Sequence, residues 1–254
     1  MKLTWLVPVM LALTACSSPS EPAATNTPVA TQEPSATLTR MSTITLFVET
    51  LTSTSTSIPR LAPEKWQEWP VIPDVISQRA VEIYKQGLLL GNNPYAYSKI
   101  GGCLDATEWF LEPFDGNPGE YSLGEYGYLQ DVIDTFHGSH GRTSIAAGIA
   151  FSSASVLSPF MADPELCDST ETPLACEVRI HRPSFAFVSL GSNDISHMDK
   201  FVVNLRQIVD FLIENGVVPI LISKADNLEG DHSVNLEITR LAYEYDLPYW
   251  NFWR

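Results

Sequence analysis

The stretch that decides the fold is Ser184-Phe185-Ala186-Phe187-Val188-Ser189-Leu190-Gly191-Ser192-Asn193-Asp194. Five of its first seven residues are apolar, which predicts a short strand buried on both faces. The strand should end at Gly-Ser-Asn-Asp, because these residue types favour turns and local side-chain hydrogen bonds. Ligands of open α/β sheets bind beyond the carboxyl ends of the strands, where the amide of Asn193 can stabilise a developing negative charge. An Asx-type turn that caps the next helix explains the same residues.

The string SLGSNDI at 189–195 resembles the third block, G-x-N-D, of the SGNH (GDSL-type) hydrolase family. The resemblance implies that Asn193 donates a hydrogen bond to the oxyanion of an ester-cleaving site. It extends over roughly residues 98–252, and two further blocks of the family have counterparts in this chain.

The first counterpart is the string KIGGCLDAT at 99–107, which follows a predicted strand at 96–100. A strand followed by a Gly-rich turn and a reactive side chain is how several hydrolases present a nucleophile. The string resembles the family's G-D-S-L block: Gly101 matches the Gly, Gly102 replaces the Asp, and Cys103 replaces the nucleophilic Ser. A Cys acts as a nucleophile when a base or an electropositive pocket favours its thiolate. The alternative for Cys103 is a small, buried apolar residue.

The second counterpart follows a predicted strand within residues 144–151. The family's second block carries a Gly whose backbone N–H contributes to the oxyanion hole, and the matching position here is Ser158. The fifth block, Asp-x-x-His, should follow the last strand and supply the general base, but the sequence ends at Arg254 before any such motif. His232 and His197 are the candidates for a base, since both follow loops at the carboxyl ends of strands. The other histidines are His137, His140 and His181.

Apolar periodicity predicts the remaining elements. Helices are expected from Asp74, as N-cap, to about Gly91, from near Asp105 or Thr107, and over 121–136, 199–215 and 234–245, with strands at 217–222 and 248–252. Strand, helix and strand in succession indicate a parallel sheet. The predicted fold is therefore a flavodoxin-like three-layer α/β/α sandwich with a mostly parallel sheet. Residues that follow its successive strands should meet at one edge: Cys103, Ser158, Asn193 and Asp226.

The N-terminus resembles a bacterial lipoprotein signal. Lys2 precedes an apolar run at 3–13 that is too short to span a bilayer, and Leu13-Thr14-Ala15-Cys16 resembles a lipobox. The resemblance implies a signal peptide at 1–15, lipidation of Cys16, and an extracytoplasmic, membrane-anchored protein. An ordinary secretory signal is the alternative. Residues 16–60 are rich in Ser, Thr and Pro and predict a disordered tether, followed by one domain at 61–254.

Composition argues against some classes of binding partner and indicates the redox conditions of the compartment in which the protein resides. The formal net charge is −15, and no Lys/Arg cluster is present, which argues against nucleic acid or anionic lipid as a partner. Cys167 and Cys176 bracket a short, turn-rich loop and are predicted to form a disulfide in an oxidising compartment. No His/Cys spacing matches a zinc site, and no cofactor is expected.

These patterns support two hypotheses of different classes. The first is a lipid-anchored ester hydrolase that acts on acyl esters of glycans or lipids through Cys103, with the oxyanion held by Asn193 and the backbone near Ser158. Its activity is expected to be weak or absent in the chain as given, because the Asp-x-x-His block is missing. The second is a non-catalytic surface lipoprotein that binds a ligand on the same scaffold. A C-terminally incomplete sequence of an active enzyme would look the same.

Overall fold

A computed structural model describes residues 60–107, 110–116 and 119–254 of the chain. The predicted signal peptide, the proposed lipidation site at Cys16 and the tether up to residue 59 lie outside the described residues. Within the described part, no helix is both long enough and apolar enough to cross a membrane.

A parallel four-stranded sheet organises the described residues. Its strands are β1 (Asn93–Gly101), β2 (Pro183–Ser189), β3 (Val218–Ile222) and β4 (Tyr249–Trp250), in the spatial order β1-β2-β3-β4. Every pairing is parallel, and Gly101 lies beside Ser189 at the carboxyl ends of β1 and β2. The helices are α1 (Gln78–Leu90), α2 (Gln130–Thr135), α3 (Ser153–Val156), α4 (Pro173–His181), α5 (Met198–Glu214) and α6 (Ser233–Glu244). The predicted α/β fold with a parallel sheet is confirmed.

Helix α5 shows how directly the apolar pattern specifies this fold. The residues that recur at helical spacing along it are all buried: Phe201, Leu205, Ile208, Val209 and Leu212. They form one continuous stripe that packs into the main apolar core. Gly216, which follows the helix, has a φ of 66°, a conformation that favours glycine. The predicted helix and its end are therefore confirmed to within a residue.

Helix α1 begins later than predicted. Its N-cap is Ser77 rather than Asp74, and the Ser77 hydroxyl accepts a hydrogen bond from the Ala80 amide at 3.1 Å. The same hydroxyl donates to the carbonyl of Asp246 at 2.6 Å, which ties the start of the helix to the C-terminal part of the domain. Val75 and Ile76, expected in the first turn, precede the helix and are exposed. The C-terminal end at Gly91 is as predicted.

The helix predicted over residues 121–136 is wrong in extent and burial. A 3-10 helix covers Gly124–Leu129, and the α-helical part is limited to α2. Gly124 has a φ of 52° and Tyr126 has non-helical backbone angles, so the helix is interrupted there. Ile133 is buried, while the rest of the expected apolar stripe is half-buried or exposed: Leu123, Tyr126, Leu129, Val132 and Phe136. Likewise, residues 102–107 form turns rather than the start of a helix.

The second predicted strand, within residues 144–151, is reduced to one bridge between Gly101 and Ala147. Gly101 also pairs with Ser189 of β2, so Ala147 lies on the other side of β1. The chain thus moves to one side of β1 and then returns to β2 on the other. This reversal is a topological switch point, the place where sheets of this kind leave a crevice at their carboxyl edge.

Strand β2 itself differs from the prediction in one respect. Ala186 and Val188 are fully buried, whereas Phe185 and Phe187, on the opposite face, are half-buried.

Cys167 and Cys176 form a disulfide that joins the loop before α4 to that helix. Cys103 is a free, exposed cysteine, so the buried apolar role that was its alternative does not apply.

Candidate active site

A cavity of about 310 Å³ opens at the carboxyl edge of the sheet, next to the switch point. The loops after β1, β2 and β3 all contribute to it, and so does the segment after the Ala147 bridge. Its lining includes three of the four residues that the sequence placed at this edge, Cys103, Asn193 and Asp226. The structure therefore brings these three residues to one site.

Two consecutive residues, Ala150 and Phe151, connect Cys103 with Asn193. The backbone N–H of Ala150 donates to the sulfur of Cys103 at 3.3 Å, and the Asn193 amide donates to the carbonyl of Phe151 at 2.8 Å. Ala150 has a φ of 64°, in the left-handed region that costs a non-glycine residue on the order of 1 kcal/mol. In this conformation, the N–H of Ala150 contacts the thiol of Cys103.

The amide of Asn193 keeps one N–H available. A primary amide carries two N–H donors, and the bond to Phe151 uses one of them. Asn193 is exposed and lines the cavity, so its second N–H can reach a bound molecule. The Phe151 bond meanwhile holds the amide in one orientation.

Local packing explains why position 102, which replaces the Asp of the family motif, is a glycine. A Cβ atom at this position would lie 3.2 Å from both the Asn193 nitrogen and the Phe151 oxygen. Any larger side chain would therefore press on the hydrogen bond that orients Asn193. The turn is held instead by its backbone, since the Ala106 N–H donates to the carbonyl of Gly102 at 3.3 Å.

The loop that carries Asn193 is anchored by its two neighbours in the motif. Asp194 is buried and accepts hydrogen bonds from the backbone N–H and the hydroxyl of Ser153, at 3.0 and 2.6 Å. Gly191 has a φ of 124°, and a Cβ atom there would come within 2.4 Å of Val234 in α6. The Gly-Ser-Asn-Asp turn therefore packs tightly against α3 and α6 and presents Asn193 to the cavity.

Ser158 does not belong to this site. It precedes the 3-10 helix Pro159–Met161, it does not line the cavity, and its N–H donates to the carbonyl of Ser155 at 3.1 Å. Its amide is thus engaged away from the cavity. The backbone donor next to Cys103 is Ala150, which lies eight positions earlier because the second strand ends at Ala147.

No histidine is among the described residues that line the cavity. His232 packs against the rings of Trp66 and Trp253, at centroid distances of 5.6 and 5.7 Å, and His197 is exposed at the start of α5. The histidines without a predicted role are engaged elsewhere or buried: His137, His140 and His181. The described part of the chain therefore places no imidazole beside Cys103.

The loop after β3 brings charged groups to the cavity. Lys224 lines it and forms ion pairs with Asp226 at 3.1 Å and with Glu229 at 2.5 Å. The side chains of Lys224 and Glu229 are each 4% exposed. The side chain of Asn235 in α6 accepts a hydrogen bond from the backbone N–H of Lys224 and donates one to the backbone carbonyl of Lys224. The ammonium group is thus paired with two carboxylates, and these charged groups give this wall of the cavity a polar character.

Sequence reasoning missed a second pair of polar residues at the site. Ser189, the last residue of β2, lines the cavity, and its hydroxyl donates to the carboxylate of Asp105. Asp105 is only 2% exposed, and burial raises its pKa to about 6. A polar residue directly after the apolar run at 185–188 was the available signal for Ser189. Asp105 lay in a region expected to be helical, which gave no reason to select it.

Among the described residues, the potential metal-ligand atoms of three side chains lie within 4.8 Å of one another: Cys167, Glu171 and Cys176. The two sulfur atoms of this group are bonded to each other. They are therefore not available as thiolate ligands in this structure, and the group lies outside the cavity.

Comparisons with family models and with curated proteins found no match to the sequence. Among solved structures, the chain is similar to the crystal structure of a GDSL-like lipase from Bacteroides thetaiotaomicron. The identity is 13% and the TM-score 0.37, over 67% of this chain and 76% of that chain. The strand order and register of the chain itself establish the α/β architecture. The contacts around the cavity are the basis for the chemistry of the site.

Proposed function

We propose that the chain is an ester hydrolase of the GDSL-like type, in which Cys103 accepts the acyl group and Asn193 holds the oxyanion. The observation that supports this proposal most strongly is the connection of both side chains through Ala150 and Phe151 within one cavity. A nucleophile and hydrogen-bond donors that converge on one reacting centre are the parts that acyl transfer requires.

The reaction proceeds in two steps. The sulfur of Cys103 attacks the acyl carbon, the carbon–oxygen bond to the alcohol breaks, and the alcohol leaves with the thiol proton. Water then hydrolyses the thioester, which releases the carboxylic acid and restores the thiol. The second N–H of Asn193 is the donor available to the oxyanion, whereas the N–H of Ala150 already donates to the sulfur of Cys103. Because no histidine lines the cavity in the described part, deacylation should be slow and overall turnover weak.

The size and lining of the cavity favour small acyl groups. Its volume of about 310 Å³ lies at the lower end of the range for ligand sites. Phe151, Leu104 and Phe252 contribute apolar surface, whereas Lys224 and Asp226 contribute charge. We therefore propose short acyl esters, such as acetyl groups on a glycan, as the substrate class.

Incubation with p-nitrophenyl acetate should acetylate Cys103 and release nitrophenolate in a burst. Mass spectrometry of peptides should locate the acetyl group on Cys103, and neutral hydroxylamine should remove it as expected for a thioester. Cys103→Ala should lose this modified peptide. Asn193→Ala should slow acylation roughly 10²- to 10³-fold, the usual cost of losing one oxyanion donor.

Ser192→Ala is the matched control for these variants, because Ser192 is an exposed neighbour that lines the same cavity. It should acylate at the wild-type rate. A folded wild-type chain that forms no acetyl-Cys103 would contradict the proposal. The non-catalytic binding lipoprotein would then be the better reading of the scaffold.

We also propose that Cys16 is lipidated and anchors the protein outside the cytoplasm, on the basis of the lipobox-like sequence. Metabolic labelling with an alkyne fatty acid in a bacterial host should label the wild-type chain. Cys16→Ser should lose the label, because no lipid can be attached without the sulfur. Cys103→Ser is the matched control and should keep it, and label retained in Cys16→Ser would refute the assignment.

A further inference from the structure

Ser189 has a position that suits a nucleophile. It ends β2 beside Gly101, at the carboxyl edge where the switch point leaves its crevice, and it lines the same cavity as Cys103 and Asn193. Its hydroxyl donates a hydrogen bond to the carboxylate of Asp105. A hydroxyl within hydrogen-bond reach of a base is the arrangement that activates a nucleophile. Cys103, by contrast, has only the Ala150 N–H as a hydrogen-bond partner in the described part.

Asp105 has the features of a base held for chemistry rather than for stability. Its oxygen Oδ2 accepts from Ser189, whereas Oδ1 is buried without a hydrogen-bond partner among the described residues. No ion pair to Asp105 occurs in that part of the chain either. A buried carboxylate that is neither paired nor fully hydrogen-bonded destabilises the folded state, and such groups concentrate at functional sites.

Gly101 permits the close approach of these two groups. A Cβ atom at position 101 would lie 1.9 Å from Oδ2 of Asp105 and 2.7 Å from the hydroxyl oxygen of Ser189. The pair therefore occupies the space that any side chain at this position would need. The absence of a side chain at Gly101 is a requirement of the Ser189–Asp105 contact.

We propose that Ser189 is a second nucleophile of this cavity and that Asp105 is its general base. The hydroxyl oxygen of Ser189 attacks the acyl carbon while its proton passes to Asp105. The carbon–oxygen bond to the alcohol then breaks, and Asp105 returns the proton to the leaving alkoxide. Water hydrolyses the resulting ester of Ser189 by the same proton path, which releases the acid and restores the hydroxyl. The inference rests on the proposed acyl-transfer function of the cavity, but it does not require Cys103.

The ionisation of Asp105 fits this role. Burial raises its pKa to about 6, although the hydrogen bond from Ser189 and the charge of Lys99 act in the opposite direction. The carboxylate is therefore ionised at neutral pH and is a stronger base than an exposed Asp. General bases are most effective when their pKa lies near the working pH. The reaction of Ser189 should therefore accelerate as the pH rises through about 6.

A fluorophosphonate ester tests this pair directly, because such probes phosphonylate activated hydroxyl groups with loss of fluoride. Peptide mapping of the labelled wild-type chain should place the phosphonyl group on Ser189. The labelling rate should fall roughly 10²- to 10⁴-fold in Asp105→Asn, the range that general-base assistance contributes. The rise in rate near pH 6 should also vanish in this variant. Ser189→Ala should not be labelled, whereas Ser192→Ala should be labelled like the wild type.

The outcomes separate this inference from the proposed function. A wild-type chain that acetylates at Cys103 but takes no phosphonyl group on Ser189 would overturn the inference alone. Phosphonylation of Ser189 without any acetyl-Cys103 would support the inference and refute Cys103 as nucleophile. Labelling of Ser189 at an unchanged rate in folded Asp105→Asn, with the fold checked by circular dichroism, would show that Asp105 is not the base.

Discussion

Replacing Asp105 by Asn should raise the free energy of unfolding at neutral and alkaline pH by about 2 to 3 kcal/mol. Burial raises the pKa of Asp105 from 3.8 to about 6, so the folded state favours the protonated carboxyl more than the unfolded state does. The stabilisation due to this group is thus fully present below about pH 3.8 and is lost as the pH rises through about 6. Asn removes the charge at every pH, and its advantage should therefore grow between about pH 3.8 and about pH 6 and be complete above that range.

Urea unfolding of both proteins at about pH 3.5 and pH 8 measures this difference. The two free energies should nearly coincide at the lower pH and separate at the higher one. Asp74→Asn is the matched control, since it removes one negative charge from an exposed position and should change little at either pH. A variant that is less stable than the wild type at pH 8 would show that the Ser189–Asp105 contact stabilises the fold. A more stable variant with slow Ser189 labelling would show that stability is sacrificed here for reactivity.

Replacing Glu177 by Ala should lower the free energy of unfolding by about 3 to 5 kcal/mol, the usual cost of breaking a buried ion pair from one side. Glu177 is 0% exposed and lies on α4, where it forms an ion pair with Arg142. Its carboxylate also accepts from the hydroxyl of Ser98 in β1 at 2.5 Å and from the N–H of Ile145 at 2.9 Å. The substitution would leave all three donors without this acceptor in the interior.

The same substitution has a defined pH dependence. Burial alone would raise the pKa of Glu177, but hydrogen bonds and the charge of Arg142 outweigh it and hold the pKa below its usual value of 4.5. The stabilisation is therefore present above about pH 4.5 and is lost as the pH falls through the lower pKa of the folded state. The difference between wild type and Glu177→Ala should accordingly be largest near pH 7 and shrink in acid.

Glu244→Ala is the matched control for this prediction, because Glu244 forms an ion pair with Arg206 at 2.7 Å on the surface. Exposed pairs contribute about 0 to 1 kcal/mol, so this variant should unfold close to the wild type. Urea unfolding of the two variants side by side provides the measurement. Equal losses in both would contradict the assignment of the Glu177 network as a buried, stabilising connection between α4 and β1.

Two buried carboxylates anchor the loop segment beside the proposed site, near the switch point. Glu177 contacts the segment before the Ala147 bridge, and Asp194 contacts Ser153 after it. Between these two anchors lies Ala150, whose N–H contacts Cys103. Both buried carboxylates therefore support the backbone whose N–H donates to the sulfur of Cys103. Partial unfolding of this segment should reduce acylation before the sheet itself is lost.

The sequence alone determined the elements whose signals are local. The apolar run of β2 and the helical spacing in α5 each predicted an element that the structure contains, because periodicity records which side of an element is buried. The turn with Asn193 followed from residue types that end strands, and the parallel order followed from alternating strands and helices. The prediction was wrong at residues 121–136 because Gly124 and the backbone at Tyr126 interrupt a helix whose apolar spacing appeared regular.

Only the tertiary structure decided which side chains meet. Ser189 and Asp105 are 84 positions apart, and Ala150 and Cys103 are 47 apart, yet each pair is in hydrogen-bond contact. Ser158 matched a family position by sequence spacing but lies outside the cavity, because the second strand ends at the Ala147 bridge. Such contacts depend on how distant segments pack around the carboxyl edge of the sheet. Local sequence patterns describe the burial of each element but do not encode that arrangement, and the candidate chemistry of this protein depends on it.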